Sequence, residues 1–392
     1  MYNKIFDERE SNKMKYRILL ILLISLFLTL CIFCLSDQRN LTQKASFYAV
    51  GDNLIHPVVY RDALQSNGDF NFEPMYESLQ KEIQAADIAY INQESPIGGD
   101  EKGLSGFKQF NTPSDIAEDV MNTGFNVVNG ANNHALDQGT DGLLNEIELW
   151  EHFKHVFYTG TFKSQKDRDT IPTFNKNGIK IAMLSYTYGT NDIKPENKYQ
   201  INYFTEEQIK KDVAKAKEQS DMVMVSAHWG NEGKHEPNAQ QKKYAKVFAD
   251  AGVDVVIGTH PHVIQPIQWV KGDNNHQTLV AYSLGNFLNG QSTGNESNAL
   301  GGNLQFNIEK QPKGITIKDV KWKSLVTHYD IANPFDSNTR QNFKMYPLDD
   351  YSNNKAKKHA LNSKPKNEMT KDKLEAITKK VIGDRYLDDS SY

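Results

Sequence analysis

From residue 45 onward, short apolar segments alternate with helical patterns, and this alternation restricts the fold more than any other feature of the chain. The apolar segments are bounded by polar and glycine-containing stretches, as buried strands are. Strands are predicted at Ala45–Val50, Ile88–Ile91, Phe125–Val128, Ile179–Tyr186, Met222–Ser226, Val253–Ile257 and Thr278–Tyr282. Strands separated by helices are typical of layered α/β proteins, so we predict the α/β class.

Helix boundaries can be predicted from capping residues and from glycine. The predicted helices run from the cap Ser114 to about Asn122, from Gly139 to about Phe153, from the cap Thr205 to about Gln219, and over Ala239–Ala251 before Gly252. Asn303–Leu325 alternates between apolar and polar residues more as antiparallel strands do, which indicates an added edge or a second sheet.

Polar residues follow five of the predicted strands at the point where each strand ends. They are Asp52, Glu94, Asn133 with His134, His228, and His260 with His262. Ligands of open α/β sheets bind beyond the carboxyl ends of the strands, so these side chains are expected at one edge. Carboxylate and amide oxygens mixed with imidazoles suit Zn, Mn or Fe. The joint pattern predicts a metal site.

Each piece also has a simpler explanation. Gly51-Asp52 can be a plain turn, Glu94 an exposed loop residue, and His134 or His228 a core histidine with satisfied hydrogen bonds. His260 and His262, which flank Pro261, can belong to a surface turn. The remaining histidines lack a strand-end context and are interpreted as surface residues: His152, His155, His235, His276, His328 and His359. His56 is ambiguous, because it follows a predicted ligand closely but precedes a proline.

An uncharged segment, Ile18–Leu35, follows a basic N-terminus. Its length is close to the lower limit for crossing a bilayer, and basic flanks stay in the cytoplasm. We predict a cytoplasmic N-terminus at 1–17, a transmembrane anchor at 18–35, an extracellular domain at 44–345 and a polar C-terminal tail at 346–392. One helix can form in this tail at Thr370–Ile382, and the rest is expected to be solvated. A cleaved signal peptide, a lipoprotein modified at Cys34 and a buried helix are the alternatives, and the flanking residues fit the first two poorly.

Composition excludes several classes of function. The formal net charge is −4, so the chain has no bulk positive charge for binding nucleic acid. The two cysteines, Cys31 and Cys34, both lie in the uncharged segment. A disulfide scaffold and a zinc site built from cysteines are therefore excluded.

Several segments together resemble the CapA/PgsA family of poly-γ-glutamate capsule synthesis proteins, a divergent branch of the calcineurin-like metallophosphoesterases. The resemblance covers roughly residues 44–310. It is carried by Phe47–Leu54, Asn92–Ile97, Gly130–Gly139, His228–Glu232, Gly258–Pro266 and Tyr282–Phe287. It implies a four-layer α/β/β/α sandwich with a dinuclear metal site.

The resemblance also implies roles for individual residues. Asp52, Asn133, His228, His260 and His262 match metal ligands of the phosphoesterases, His134 matches their substrate-facing histidine, and Glu94 lies where they carry a bridging aspartate. The chain departs from the phosphoesterases in two motifs: Leu54 stands where Asp-x-His would place a histidine, and Glu94 replaces Gly-Asp-x-x-Asp.

Two functions of different classes follow from this resemblance. One is a surface metalloenzyme that acts on a phosphate ester or an amide of a wall or capsule polymer. The other is a membrane-anchored component of polyglutamate synthesis or export, in which the metal serves structure or polymer binding. The chain has no G-x-x-x-x-G-K-[ST] loop, so ATP-dependent ligation is expected of a cytoplasmic partner that acts with a polytopic membrane subunit. Trp229 and Gly230 are candidates for substrate contact, with core packing as the alternative for Trp229.

Overall fold

The computed structural model describes residues 13–29, 42–291, 295–363 and 368–392. The strands are β1 (Gln43–Leu54), β2 (Ile88–Gln93), β3 (Val127–Asn129), β4 (Phe157–Thr159), β5 (Thr173–Lys176), β6 (Ile179–Thr187), β7 (Met222–His228), β8 (Val255–Thr259), β9 (Ile267–Lys271), β10 (Gln277–Ala281), β11 (Asn286–Asn289), β12 (Leu300–Gln311), β13 (Gly314–Ile331) and β14 (Arg340–Pro347). The helices are α1 (13–29), α2 (Pro57–Ala63), α3 (Glu73–Ala85), α4 (Asp115–Thr123), α5 (Gly139–His152), α6 (Gln165–Asp169), α7 (Glu206–Gln219), α8 (Ala239–Ala251), α9 (Glu296–Ala299), α10 (Asn353–Lys358) and α11 (Lys371–Ile382).

The helix boundaries follow from the predicted caps. The Thr205 hydroxyl accepts a hydrogen bond from the Gln208 amide at the start of α7. Asn238 and Gln241 form a reciprocal capping box at the start of α8, and that helix ends at Gly252. The predictions for α4, α5, α7 and α8 are confirmed to within one residue at each end.

The strands form two sheets. The first has the order β14-β13-β12-β1-β2-β3-β4, with β11 also paired to β1, and the second has the order β5-β6-β7-β8-β10-β9. Strands β1 to β4 run parallel to one another, as do β6, β7, β8 and β10. Strands β12, β13 and β14 are antiparallel, which confirms the prediction for the region 303–325.

The sheets pack face to face, because their strands are apolar on both sides. In β1, Phe47 and Ala49 point into the buried cluster between the sheets, which they share with Met222 and Met224 of β7. The alternate residues of β1, such as Val50, pack against α2, α3 and α4, and those of β7 pack against α7 and α8. Period-two alternation therefore buries both faces of each sheet, and the chain forms an α/β sandwich as predicted.

The N-terminal helix α1 has exposed apolar side chains, including Leu22 and Phe27. Within the described ranges, no helix combines the length and the apolar character needed to cross a bilayer. The predicted anchor extends to residue 35, and its part from residue 30 onward lies outside the described residues.

The prediction of a solvated tail after residue 345 is wrong for the described part of that region. Leu348, Tyr351, Leu374 and Ile382 are buried in the same apolar cluster that fills the space between the sheets. The lysine-rich composition misled the prediction, because the apolar residues of α11 recur on one face of the helix while the lysines occupy the other.

Two histidines that were interpreted as surface residues are also buried at this junction. His328 accepts or donates a hydrogen bond with the Tyr351 hydroxyl at 2.7 Å, and His359 lies 3.0 Å from the Thr327 carbonyl. Burial lowers the pKa of His359 to about 3, so this ring is neutral and structural. Sequence context did not identify them, because their partners come from distant parts of the chain.

Candidate metal centre

The candidate site lies where parallel strands of both sheets end. In the first sheet, Asp52 of β1 is in register with Asn92 of β2, which is in register with Asn129 of β3. In the second sheet, His228 of β7 is in register with Thr259 of β8. Because the sheets pack face to face, the carboxyl ends of these strands bring their polar residues to a common edge.

Five of the predicted ligands form two overlapping groups. Donor atoms of Glu94, His260 and His262 all lie within 4.8 Å of one another, as do those of Asp52, Glu94 and His228. Glu94 belongs to both groups: its Oε1 is 3.5 Å from His262 Nε2 and 3.7 Å from His228 Nε2. All five residues are buried, so the chain places a pair of carboxylates among three imidazoles away from solvent.

Asn133 joins the groups through His228. Its Oδ1 lies 2.8 Å from His228 Nε2, and the other ring nitrogen, Nδ1, lies 2.9 Å from the Thr259 hydroxyl. The amide oxygen therefore points at the same ring atom that faces Glu94. The structure thus brings together all six residues that the sequence predicted as ligands, while their role as ligands stays a prediction.

Glu94 is the residue whose surroundings best fit a bound cation. Both of its carboxylate oxygens are buried and have no hydrogen-bond partner among the described residues, and the same is true of His260 Nδ1. Burial, reinforced by the neighbouring Asp52 carboxylate, raises the pKa of Glu94 well above its usual range. Native proteins rarely leave buried polar atoms unpaired, so the unpaired donor set fits a metal ion.

Burial and neighbouring charges also shift the pKa values of the site histidines. Burial, followed by the neighbouring imidazoles, lowers the pKa of His228 and of His260 well below the usual value. Neutral imidazole is the form that binds metals. Burial also disfavours charge on His262, but the hydrogen bond with Asp52 and the charges of Asp52 and Glu232 together outweigh it and raise the pKa of this ring.

The backbone holds Asp52 and the two late histidines in place. Asp52 accepts hydrogen bonds from Asn92 Nδ2 at 2.8 Å and from the His260 amide, and it lies 3.1 Å from His262 Nδ1. His260 and His262 both have positive φ, at 96° and 56°. Non-glycine residues rarely adopt this conformation, and such strain recurs at functional sites. Gly51 is required beside Asp52, because a Cβ there would lie 1.8 Å from the Gly285 carbonyl oxygen.

His134 lies outside both groups of potential ligands. Its Nδ1 is 2.7 Å from the Asp137 carboxylate, which also accepts a hydrogen bond from the Phe110 amide. Phe110 packs edge-on against the His134 ring, with the ring centroids 4.8 Å apart. A carboxylate at Nδ1 favours the tautomer with the proton on that nitrogen, which leaves Nε2 available for proton transfer.

Of the two predicted substrate contacts, Trp229 packs in the core, whereas substrate contact by Gly230 stays a prediction. Trp229 is fully buried, stacks on Phe204 and donates its indole hydrogen to the Tyr282 carbonyl at 2.9 Å. This is the core-packing alternative that the sequence left open. Gly230 has φ of 98°, and a Cβ there would lie 2.7 Å from the side chain of Gln241. The positive φ and the close contact with Gln241 therefore explain why residue 230 is a glycine.

Sequence reasoning missed four residues of the site. Asp137 lies three positions after His134 in a segment whose importance was recognised, and Asn286 lies in another, where its Oδ1 is 3.1 Å from His262 Nδ1. Tyr188 lies two residues after the predicted strand 179–186, and its ring lies 4.5 Å from that of His260 at a tilt of 44°. Asn191 contacts both Asn133 and His134 at 3.2 Å, and no sequence signal marks it.

The ambiguous His56 supplies no ligand. It belongs to neither group of potential ligands, and its ring packs edge-on against Phe110 with the centroids 5.2 Å apart. Burial lowers the pKa of His56 to about 3.

Comparisons with known proteins place the site within a described family. A sequence profile described as "Bacterial capsule synthesis protein PGA_cap" matches residues 46–291. The chain is 29% identical over 277 residues to "PGA biosynthesis protein CapA" of Bacillus subtilis (strain 168), which covers 69% of each chain. It is 32% identical over 208 residues to "Capsule biosynthesis protein CapA" of Bacillus anthracis, which covers 51% of this chain and 48% of that protein.

Proposed function

Because the chain belongs to the bacterial capsule synthesis protein family PGA_cap, we propose that it takes part in the synthesis or export of a capsule polymer of the poly-γ-glutamate type. The matched region, residues 46–291, includes every residue of the candidate metal centre. The names of the Bacillus relatives, which refer to capsule and PGA biosynthesis, support the same role.

The second part of the proposal is a divalent metal site in a four-layer sandwich of metallophosphoesterase type. Asp52, Glu94, His228, His260 and His262 would hold one or two ions of Zn, Mn or Fe, with Asn133 as a further oxygen ligand. The unpaired oxygens of Glu94 are the observation that carries this part, because a bound cation would satisfy both. A bound ion of this kind polarises a phosphoryl or acyl oxygen.

The chain's own contribution to chemistry would come from His134. Asp137 holds the ring with Nδ1 toward the carboxylate, so Nε2 can accept a proton from, or donate one to, a bound group. This pair favours a second candidate within the same role, a hydrolase or transferase acting on a phosphate ester or on an amide linkage of a wall or capsule polymer.

The proposed location is the outer face of the cell membrane, with the uncharged segment 18–35 as a single-pass anchor and residues 1–17 in the cytoplasm. Partners would be a cytoplasmic ligase that uses ATP, a polytopic membrane subunit and the anionic polymer itself, and nucleic acid is not among them. The absence of a nucleotide-binding glycine loop from the sequence supports this division of labour.

Complementation tests the proposal. Cells that lack the gene receive the wild type, the double variant His228→Ala/His260→Ala, or the control His276→Ala, and released and cell-bound polymer are measured. His276 is a half-buried histidine whose Nε2 contacts the Val253 carbonyl, away from the site. The wild type and the control should restore the polymer, and the double variant should not. Polymer production that does not depend on the gene would refute the capsule role, and full restoration by the double variant would refute the role of the metal.

A further inference from the structure

Two cavities adjoin the candidate metal centre and share one wall. The first, of about 720 Å³, is lined by residues 106–109 and 191–193, and the second, of about 640 Å³, by residues 188–195 and Tyr203. Residues 191–193 belong to both linings, so they form the wall between the cavities. A small-molecule pocket typically has about 300–1,000 Å³, so each cavity alone is large enough for one small ligand.

The shared wall is fixed directly to the site. Asn191 lies 3.2 Å from both His134 Nδ1 and the Asn133 amide nitrogen. Asn191 and Asp192 have positive φ, at 49° and 63°, so the wall turns sharply at this point. A chain that passed from one cavity to the other would therefore cross the wall beside His134 and the potential metal ligands.

The charges of the lining suit an anionic chain. Each cavity has one lysine, Lys108 in the first and Lys194 in the second, and the only acidic residue in either lining is Asp192 of the shared wall. The two lysines thus line different cavities, which meet at the shared wall. An extended polymer with regularly spaced carboxylates can contact both of them, whereas a short ligand in one cavity can contact only one.

The first cavity also offers an apolar contact. The Phe107 side chain is 73% exposed, and its ring lies 6.5 Å from that of Phe110, which packs on His134. An exposed phenylalanine beside a lysine suits a unit that combines methylene groups with a carboxylate. A γ-linked glutamyl residue has this composition.

We propose that the two cavities form one cleft that binds an extended polycarboxylate chain of γ-glutamyl units, with Lys108 contacting a carboxylate in the first cavity and Lys194 contacting one in the second. This inference rests on the proposed function and deepens it, because it assigns the polymer to a particular surface of the site. Lys108, Lys194 and Phe107 are then residues that determine specificity, separate from the potential metal ligands.

The test measures binding of fluorescent γ-glutamyl oligomers of two and ten residues to the metal-loaded protein by anisotropy. The wild type should bind the decamer at least about tenfold more tightly than the dimer, and Lys108→Ala/Lys194→Ala should weaken decamer binding by at least about tenfold. Metal content should be unchanged, because neither lysine belongs to the groups of potential ligands. Phe107→Ala should weaken binding without changing its salt dependence, since it removes no charge.

Two controls make the result specific. Lys211→Ala/Lys313→Ala removes the same charge from exposed positions outside the cleft and should bind as the wild type does. A decamer of γ-linked isoglutamine units, which has the same backbone with a carboxamide in place of each free α-carboxylate, should bind weakly. Equal binding of the neutral decamer, or full decamer affinity in Lys108→Ala/Lys194→Ala, would overturn the cleft. The capsule role is tested separately by complementation with the wild type. A negative binding result would therefore refute the cleft without refuting the capsule role.

Discussion

Glu94→Gln should abolish most of the stabilisation that a divalent ion gives this protein. Glu94 is the residue common to both groups of potential ligands, and neither of its oxygens has a hydrogen-bond partner among the described residues. An ion present at about 100 times its dissociation constant stabilises the folded state by about 2.7 kcal/mol. With an unfolding entropy of about 2.1 cal/mol/K per residue over roughly 350 residues, this corresponds to an increase of about 4 °C in Tm.

The assay is thermal unfolding of chelator-treated protein before and after addition of Zn²⁺, Mn²⁺ or Fe²⁺. The wild type should gain about 4 °C, and Glu94→Gln should gain less than about 1 °C, since the amide neither carries the charge nor binds two ions. Without metal, the variant should be at least as stable as the wild type at pH 7–8, because a neutral group replaces a carboxyl that resists ionisation. Glu309→Gln is the control, since Glu309 pairs with Lys44 and Lys318 instead. A full metal response in Glu94→Gln, or none in the wild type, would refute the reasoning.

Four further predictions test other parts of the structure. Leu374→Ala should destabilise the fold by about 2–5 kcal/mol in denaturant unfolding, because Leu374 is fully buried. Lys380→Ala, on the exposed face of the same helix, should change stability by less than about 0.5 kcal/mol. Equal effects of the two substitutions would support the prediction of a solvated tail. Asp137→Asn should lower polymer yield in complemented cells while metal content stays at the wild-type level, and a loss of metal would make Asp137 part of the metal site instead. Burial raises the pKa of Glu146 to about 8, so the folded state holds a proton at pH values where the unfolded chain has lost it. The free energy of unfolding is therefore expected to be highest below about pH 4.5 and to decline by at most about 5 kcal/mol as the pH rises to 8. Glu146→Gln should remove this decline from unfolding curves measured across that range. Lys313→Cys should react with a membrane-impermeant maleimide on intact cells, since the natural sequence has no cysteine beyond residue 34, and a protected thiol would contradict the proposed topology.

Local signals predicted the architecture well where they were strong. The predicted strands at 88–91, 179–186 and 222–226 begin at the observed residues, and each real strand extends a little further into the polar residues of the site. Those polar residues looked like loop in the sequence because polar side chains are rare in buried strands. In the structure they are buried and paired with one another, as Asn92 is with Asp52. The helix α3 and the short strand β11 had no clear signal and were missed.

The sequence was sufficient to predict that six potential ligands meet at the candidate centre. Chemistry-bearing side chains stand just after strands, and parallel strands bring their carboxyl ends to one edge, so Asp52 and His260 could be placed together across more than two hundred residues. Tertiary structure alone decided how they act on one another. The pairing of His134 with Asp137, the contact of Asn191 with both motif residues and the unpaired oxygens of Glu94 depend on loop conformation and on burial. The same holds for α11, whose lysine-rich composition indicated solvent while its apolar face packs into the core. Periodicity is a local property of a chain, whereas the partner of a buried polar or apolar group is supplied by distant segments, so only the folded chain reveals it.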